Sequence, residues 1–181
     1  MPGSVSSASH RRSVTGSASS TSTSRLVRAP RQAVYDAFTR PDALAAWLAP
    51  EGMTGRVHQW DLRVGGGYVM SLYYPKSMGD GHGKTAEGED RYTARFVELD
   101  PPSRVVLAID FESDDPAFAG EMIMQTTLEE RPGGTEVTIA FRGLPPGIRP
   151  EDNDEGTRSS LEKLARYVET ARDGQARAGH H

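Results

Sequence analysis

Between residues 54 and 143 apolar and polar positions alternate with a period near two, and turn signals break the alternation into short runs. This predicts strand after strand with no long helix among them. The period then changes. In the stretch 152–171, Thr157, Leu161, Leu164 and Val168 fall at spacings of four, three and four, which is one stripe of an amphipathic helix. A single apolar stripe has to be buried, and the only large partner is the sheet. A curved antiparallel sheet around one long helix leaves room for a cavity between them.

The elements follow in order. Residues 25–29 (RLVRA) predict a short first strand. Pro30 suits the start of a helix whose stripe is Ala33, Val34, Ala37 and Phe38, ending near Arg40. Pro41 and Asp42 open a second helix with Leu44, Trp47 and Leu48 as its apolar face, and Pro50 stops it. Strands are predicted at 55–64, 68–74, 91–99, 103–111, 121–130 and 135–142. Gly65, Gly66 and Gly67 supply a turn, and Arg131-Pro132-Gly133-Gly134 closes a hairpin. The run 103–111 is the most apolar and is expected at the centre of the sheet. Residues 75–88 form a long loop, and 144–150 a proline-rich connection into the last helix. The fold class is α+β.

Composition narrows the picture. The 181 residues suffice for one domain, read as a Ser/Thr/Arg-rich disordered tail at 1–23, a folded domain at 24–172 and a flexible C-terminal tail at 173–181. The tail has no apolar stretch of the kind a secretory signal needs, although an Arg- and Ser-rich segment without acids also describes a transit peptide. The chain has no cysteine, which excludes disulfides, thiolate zinc sites and a cysteine nucleophile, and fits a cytoplasmic setting. No run reaches the roughly 18 apolar residues of a membrane span. Residues 1–35 carry five arginines and no acid, yet the whole chain has a formal charge of −4, so its folded part is acidic. Such a domain lacks the basic face that nucleic acid requires.

Four segments in order resemble one family. VRAPRQAVYDAFTRPDALAAWLAPEG at the start, WDLRVGGGYVM at 60–70, VELDPPSRVVL at 97–107 and GGTEVTIAFRGLP at 133–145 are similar to the SRPBCC (START/Bet v 1-like) superfamily. More narrowly they resemble its branch named after the activator of Hsp90 ATPase. Gly156, Leu161, Leu164 and Tyr167 match the final-helix pattern, and the resemblance spans about residues 25–170. It implies a helix-grip fold: six to seven antiparallel strands wrapped around a long C-terminal helix, two short helices after the first strand, and a hydrophobic cavity. It implies no shared catalytic set. Where the branch commonly has His and Gly-Trp at the start of the last helix, this chain has Asn153 and Gly156-Thr157. The eukaryotic Hsp90 activators carry a further N-terminal domain that this sequence does not contain, so chaperone activation is not the expected role.

Several motifs are weighed and set aside. GDGHGKT at 79–85 imitates the end of a phosphate-binding loop, but Met78 stands where the first glycine belongs and no helix is predicted after it. EDNDEGTRSSLE at 151–162 imitates a calcium loop but begins with Glu151 and has Arg158 where an apolar residue belongs; its acids are expected to cap the helix. No Gly-x-Ser-x-Gly elbow is present, and His58 and His82 lack further metal ligands in register. No metal or cofactor is expected.

The cavity candidates are Trp60, Met70, Leu72, Tyr74, Tyr92, Phe96 and Met124 from the sheet, facing Leu161, Leu164 and Val168 of the helix. Met and Tyr are adaptable walls, Tyr with a polar tip. His58, which alternates with Arg56, Trp60 and Leu62, is the first choice for a polar group inside, with Tyr74 and Gln125 also fixing orientation. Of the carboxylates, Asp110 and Glu121 could point inward. The expected function is binding of a small hydrophobic or aromatic molecule, with access through 75–88 and 144–150. The alternatives are an enzyme of aromatase/cyclase or hydrolase type with His58 as acid or base, and a chaperone or regulator interaction module with an exposed patch on Trp47 and Leu48.

Overall fold

The computed structural model describes residues 19–78 and 81–179. Strand β1 (Ser20–Val27) leads into helices α1 (Arg31–Thr39) and α2 (Pro41–Trp47). Six strands follow: β2 (Thr54–Asp61), β3 (Gly67–Tyr73), β4 (Glu89–Asp100), β5 (Arg104–Phe111), β6 (Met122–Arg131) and β7 (Gly134–Arg142). Helix α3 (Pro150–Ala178) closes the chain. The seven strands make one antiparallel sheet in the order β1-β7-β6-β5-β4-β3-β2, so β5 is central, as its apolar run predicts. This is the α+β helix-grip arrangement, with β2 to β7 as an up-and-down meander and β1 returned beside β7. Among the described residues no helix is long and apolar enough to cross a membrane.

The element boundaries differ from the sequence expectation at both ends. β1 begins at Ser20, inside the stretch read as tail, because backbone pairing from Ser20–Arg142 to Val27–Thr135 needs no apolar side chains. Its polar residues reach α3 instead, with Thr21 Oγ1 on Asn153 Oδ1 (2.6 Å) and Thr23 Oγ1 on Asp154 Oδ1 (3.1 Å). Residues 1–18, the rest of the expected tail, lie outside the described residues. α3 runs on to Ala178, through most of the expected C-terminal tail. It starts at Pro150 with Glu151 and Asp152 in its first turn, and no side chain caps it. β2 ends at Asp61, because Arg63 N–H on Asp61 O and Gly66 N–H on Arg63 O turn the chain before Val64.

One face of the sheet is covered by the helices. Leu161, Leu164, Ala165 and Val168 of α3 share a core with Val34, Phe38 and Trp47 of α1 and α2 and with Met70, Phe96, Val137 and Ile139 of the sheet. Trp47 is wholly buried, donates its indole N–H to Ala37 O (2.8 Å) and meets Phe38 edge to face at 4.7 Å. The exposed Trp47 patch that an interaction module requires is therefore not present. Burial wins because the α1–α2 wedge points its apolar stripe at the sheet.

Candidate functional site

Beyond this packed region the helix-covered face opens into a cleft of about 810 Å³. Its floor is the sheet: Leu72 and Tyr92 from β3 and β4, Ile109 and Phe111 from β5, Met122 and Met124 from β6, Ile139 and Phe141 from β7. One wall is the first turns of α3, with Asp152, Asn153, Gly156, Thr157 and Ser160. Leu48, Pro50 and Met53 after α2, and Phe118 between β5 and β6, complete the apolar lining. Both segments expected to govern access border it, through Met78, His82 and Lys84 from the first and Ile148 and Arg149 from the second. The stripe of α3 thus divides: Leu161 onward fills the core, and the residues before it face the cleft.

At one end the cleft carries a polar cluster. Asp90 is 3% exposed and accepts from the Tyr74 hydroxyl (2.8 Å), the Lys84 backbone N–H (2.6 Å) and Lys84 Nζ (2.7 Å). Lys84 Nζ also donates to the Tyr74 hydroxyl at 3.3 Å and lies 5.7 Å from the Phe111 ring centroid. His82 stacks on Tyr74 at 5.9 Å. Burial acts to lower the pKa of Lys84, but Asp90 and Tyr74 together outweigh it, and the net shift is upward from 10.5. Burial raises Tyr74 above 10.0, opposed by Lys84 and reinforced by Asp90. Lys84 Nζ and the Asp90 carboxylate form an ion pair at 2.7 Å.

The loop that delivers Lys84 is shaped rather than loose. Gly83 has φ +124°, and any Cβ there would run into the carbonyl of Ala86. Thr85 Oγ1 accepts the Arg91 N–H (2.8 Å), and the chain passes straight into β4, so no helix follows Lys84 and no phosphate loop forms. The sequence reading found only glycines here. Lys84 and Asp90 escaped it because they lie in a loop and at a strand start, where periodicity is silent. The available signal was a lysine and an acid flanking a long loop.

Of the candidates, Leu72, Tyr74, Tyr92 and Met124 line the cleft. Trp60, Met70 and Phe96 do not: Met70 and Phe96 fill the core, and the half-buried Trp60 packs against it, stacked on Tyr68 at 5.1 Å and edge-on to Phe96 at 5.8 Å. Leu161, Leu164 and Val168 are likewise core residues. His58 stands on the opposite face of the sheet. The register passes from Val57–Met70 to Gln59–Val69, so His58 is the extra residue of a bulge, and its alternation with Trp60 is broken. Its Nε2 lies 2.9 Å from Ser71 Oγ, which donates to Glu89 Oε1 at 2.5 Å, and Ser71 is fully buried beneath them. Gln125 also faces away, accepting from Arg104 (2.9 Å). Asp110 and Glu121 are exposed, Glu121 beside Arg95 at 3.5 Å, whereas Asp90 is buried and lines the cleft. The stretch that imitates a calcium loop is helix throughout, and among the described residues no group of His, Asp and Glu could hold a metal.

The family described as Activator of Hsp90 ATPase homolog 1-like protein matches residues 28–169. The chain belongs to that family. This AHSA1-like domain is 35% identical to a Chromobacterium violaceum protein of known crystal structure, over 83% of this chain and 96% of that one, with a TM-score of 0.73. An AHSA1-like protein from Aeromonas hydrophila is 23% identical over 84% of this chain and 94% of its own, with a TM-score of 0.63. A Nitrosomonas europaea protein is 18% identical over 84% and 95%, with a TM-score of 0.64. The last two likenesses concern the fold alone. Among curated proteins none matches the AHSA1-like chain.

Proposed function

We propose that the cleft binds a small, largely apolar or aromatic molecule, held by burial against the sheet and oriented by the Tyr74–Lys84–Asp90 cluster. One observation carries this reading: a cleft of about 810 Å³ has a floor of Met, Tyr, Phe and Ile side chains and the Lys84–Asp90 ion pair on its border. Filled cores do not leave such volumes, and ligand sites characteristically combine an apolar lining with a few placed polar groups. Membership of the family is compatible with this role. A cytoplasmic setting belongs to the same proposal, and a chain without cysteine is compatible with it.

Comparison of native and denatured masses of the purified chain tests the reading. A discrete mass lost on denaturation is the expected result, and its value identifies the molecule. Should the two masses agree, and should a panel of apolar dyes leave the protein's melting temperature unmoved, the binding role fails.

A further inference from the structure

The polar end of the cleft offers a ligand a charged donor, while three of the four lone-pair positions of its carboxylate are already used. Asp90 Oδ1 is taken by the Lys84 backbone N–H, and Oδ2 is shared by Tyr74 and Lys84 Nζ. The Tyr74 proton is given to Asp90. Among the described residues Lys84 Nζ has these partners alone, so the third proton of its ammonium is left for whatever enters. A ligand that uses this proton brings an oxygen or nitrogen that accepts.

Charge decides what kind of acceptor. The Lys84 ammonium is already neutralised by Asp90 at 2.7 Å, and carboxylates around the cleft (Glu51, Asp90, Asp152, Glu155) outnumber the cations Lys84 and Arg149. The N-terminal turn of α3, which would otherwise favour an anion, is served by its own Glu151 and Asp152. A bound carboxylate would be desolvated with no uncompensated cation to meet it. A cationic head is a donor only and would meet the free proton of the Lys84 ammonium, itself a donor.

We infer that the cleft selects uncharged, ring-bearing ketones over carboxylates or ammonium compounds of the same shape, the carbonyl oxygen accepting from Lys84 Nζ while the ring lies along Phe111, Tyr92 and Met124. This rests on the ligand-binding reading and adds the class of ligand to it. The carbonyl is hydrogen-bonded rather than condensed with the amine, because the ion pair with Asp90 keeps Lys84 protonated and without a nucleophilic lone pair.

A matched naphthalene series tests it by calorimetric titration of the full chain at about pH 7. The probes are acetylnaphthalene, ethylnaphthalene, naphthoate and naphthylethylammonium. The ketone is expected to bind about tenfold more tightly than the hydrocarbon, the worth of one hydrogen bond to a charged donor, and both ions more weakly than the ketone. Lys84→Met should bring the ketone down to the hydrocarbon's affinity, and Asp90→Asn, which frees the ammonium, should raise naphthoate relative to the ketone. Tighter binding of either ion to the wild-type chain overturns the inference, as does an unchanged ketone-to-hydrocarbon ratio in Lys84→Met. The wild-type ranking decides even where a variant does not fold. If all four bind equally, the ligand class is wrong but the binding role stands; if none binds, both fall.

Discussion

Gly156 lies inside helix α3 where it borders the cleft. A Cβ there would meet Pro50 Cγ at 3.7 Å, an ordinary contact. Since glycine in a helix interior is about 1 kcal/mol worse than alanine, Gly156→Ala should raise the unfolding free energy by up to that amount and move the urea midpoint upward. A lower midpoint would mean that the wall is packed more tightly there than the contact implies. At the same scale Asp90 and His58 show what single residues reveal and conceal. Asp90 stands among polar neighbours at a strand start, and nothing local marks it as buried; its partners Tyr74 and Lys84 close on it only because the loop folds back over β4. His58 is conspicuous by type, but one extra residue in β2 turns it to the other face, and a one-residue shift is invisible to a pattern of period two.

At the scale of elements, α3 has two roles separated along its length. Its first turns wall the cleft, its middle grips the core, and residues 171–175 beyond are exposed. Leu164, fully buried, should therefore cost about 2–5 kcal/mol as Leu164→Ala in denaturant titration. Removal of residues 173–181 should cost less than about 1 kcal/mol, since 173–175 and 177–179, its described side chains, are exposed. Comparable losses from the two changes would contradict this division. The helix stripe at 161–168 was legible in sequence because burial there follows the helical period over consecutive turns. The cleft-facing turns were not, because Asn153, Gly156 and Ser160 are polar or small and carry no apolar signal. β1 shows the same limit: its first residues are Ser and Thr, and only pairing with β7 makes them a strand.

The molecule as a whole holds several tyrosines away from water. Burial raises Tyr68 and Tyr92 above the ordinary 10.0, opposed at Tyr68 and reinforced at Tyr92 by the contact between them; Tyr74 is raised as well. The unfolded chain releases these protons near the ordinary value while the folded chain keeps them. The stabilisation is therefore complete below about pH 10 and is lost as pH climbs through the raised folded values. Lys84, raised from 10.5, acts in the same sense, whereas Lys163, lowered mainly by burial, adds a smaller rise in stability with pH just below 10.5. The net expectation is a urea midpoint that falls above about pH 10, with a shallower fall in Tyr68→Phe. A flat profile between about pH 9 and about pH 11.5 would falsify the burial of these hydroxyls.

The order and type of the elements, the central place of β5, the single long helix and the family were all determined by the sequence. Each depends on periodicity or on short local signatures that survive any tertiary arrangement. The position of the cleft was decided only by the fold. A void is the small difference between the space the sheet and helices enclose and the volume of all side chains that enter it. Trp60, Met70 and Phe96 close that space at one end, while Tyr74, Lys84 and Asp90 border the part left open. The polar cluster was likewise a tertiary outcome, because its charge balance exists only once a half-buried loop lysine and a buried strand carboxylate are brought together.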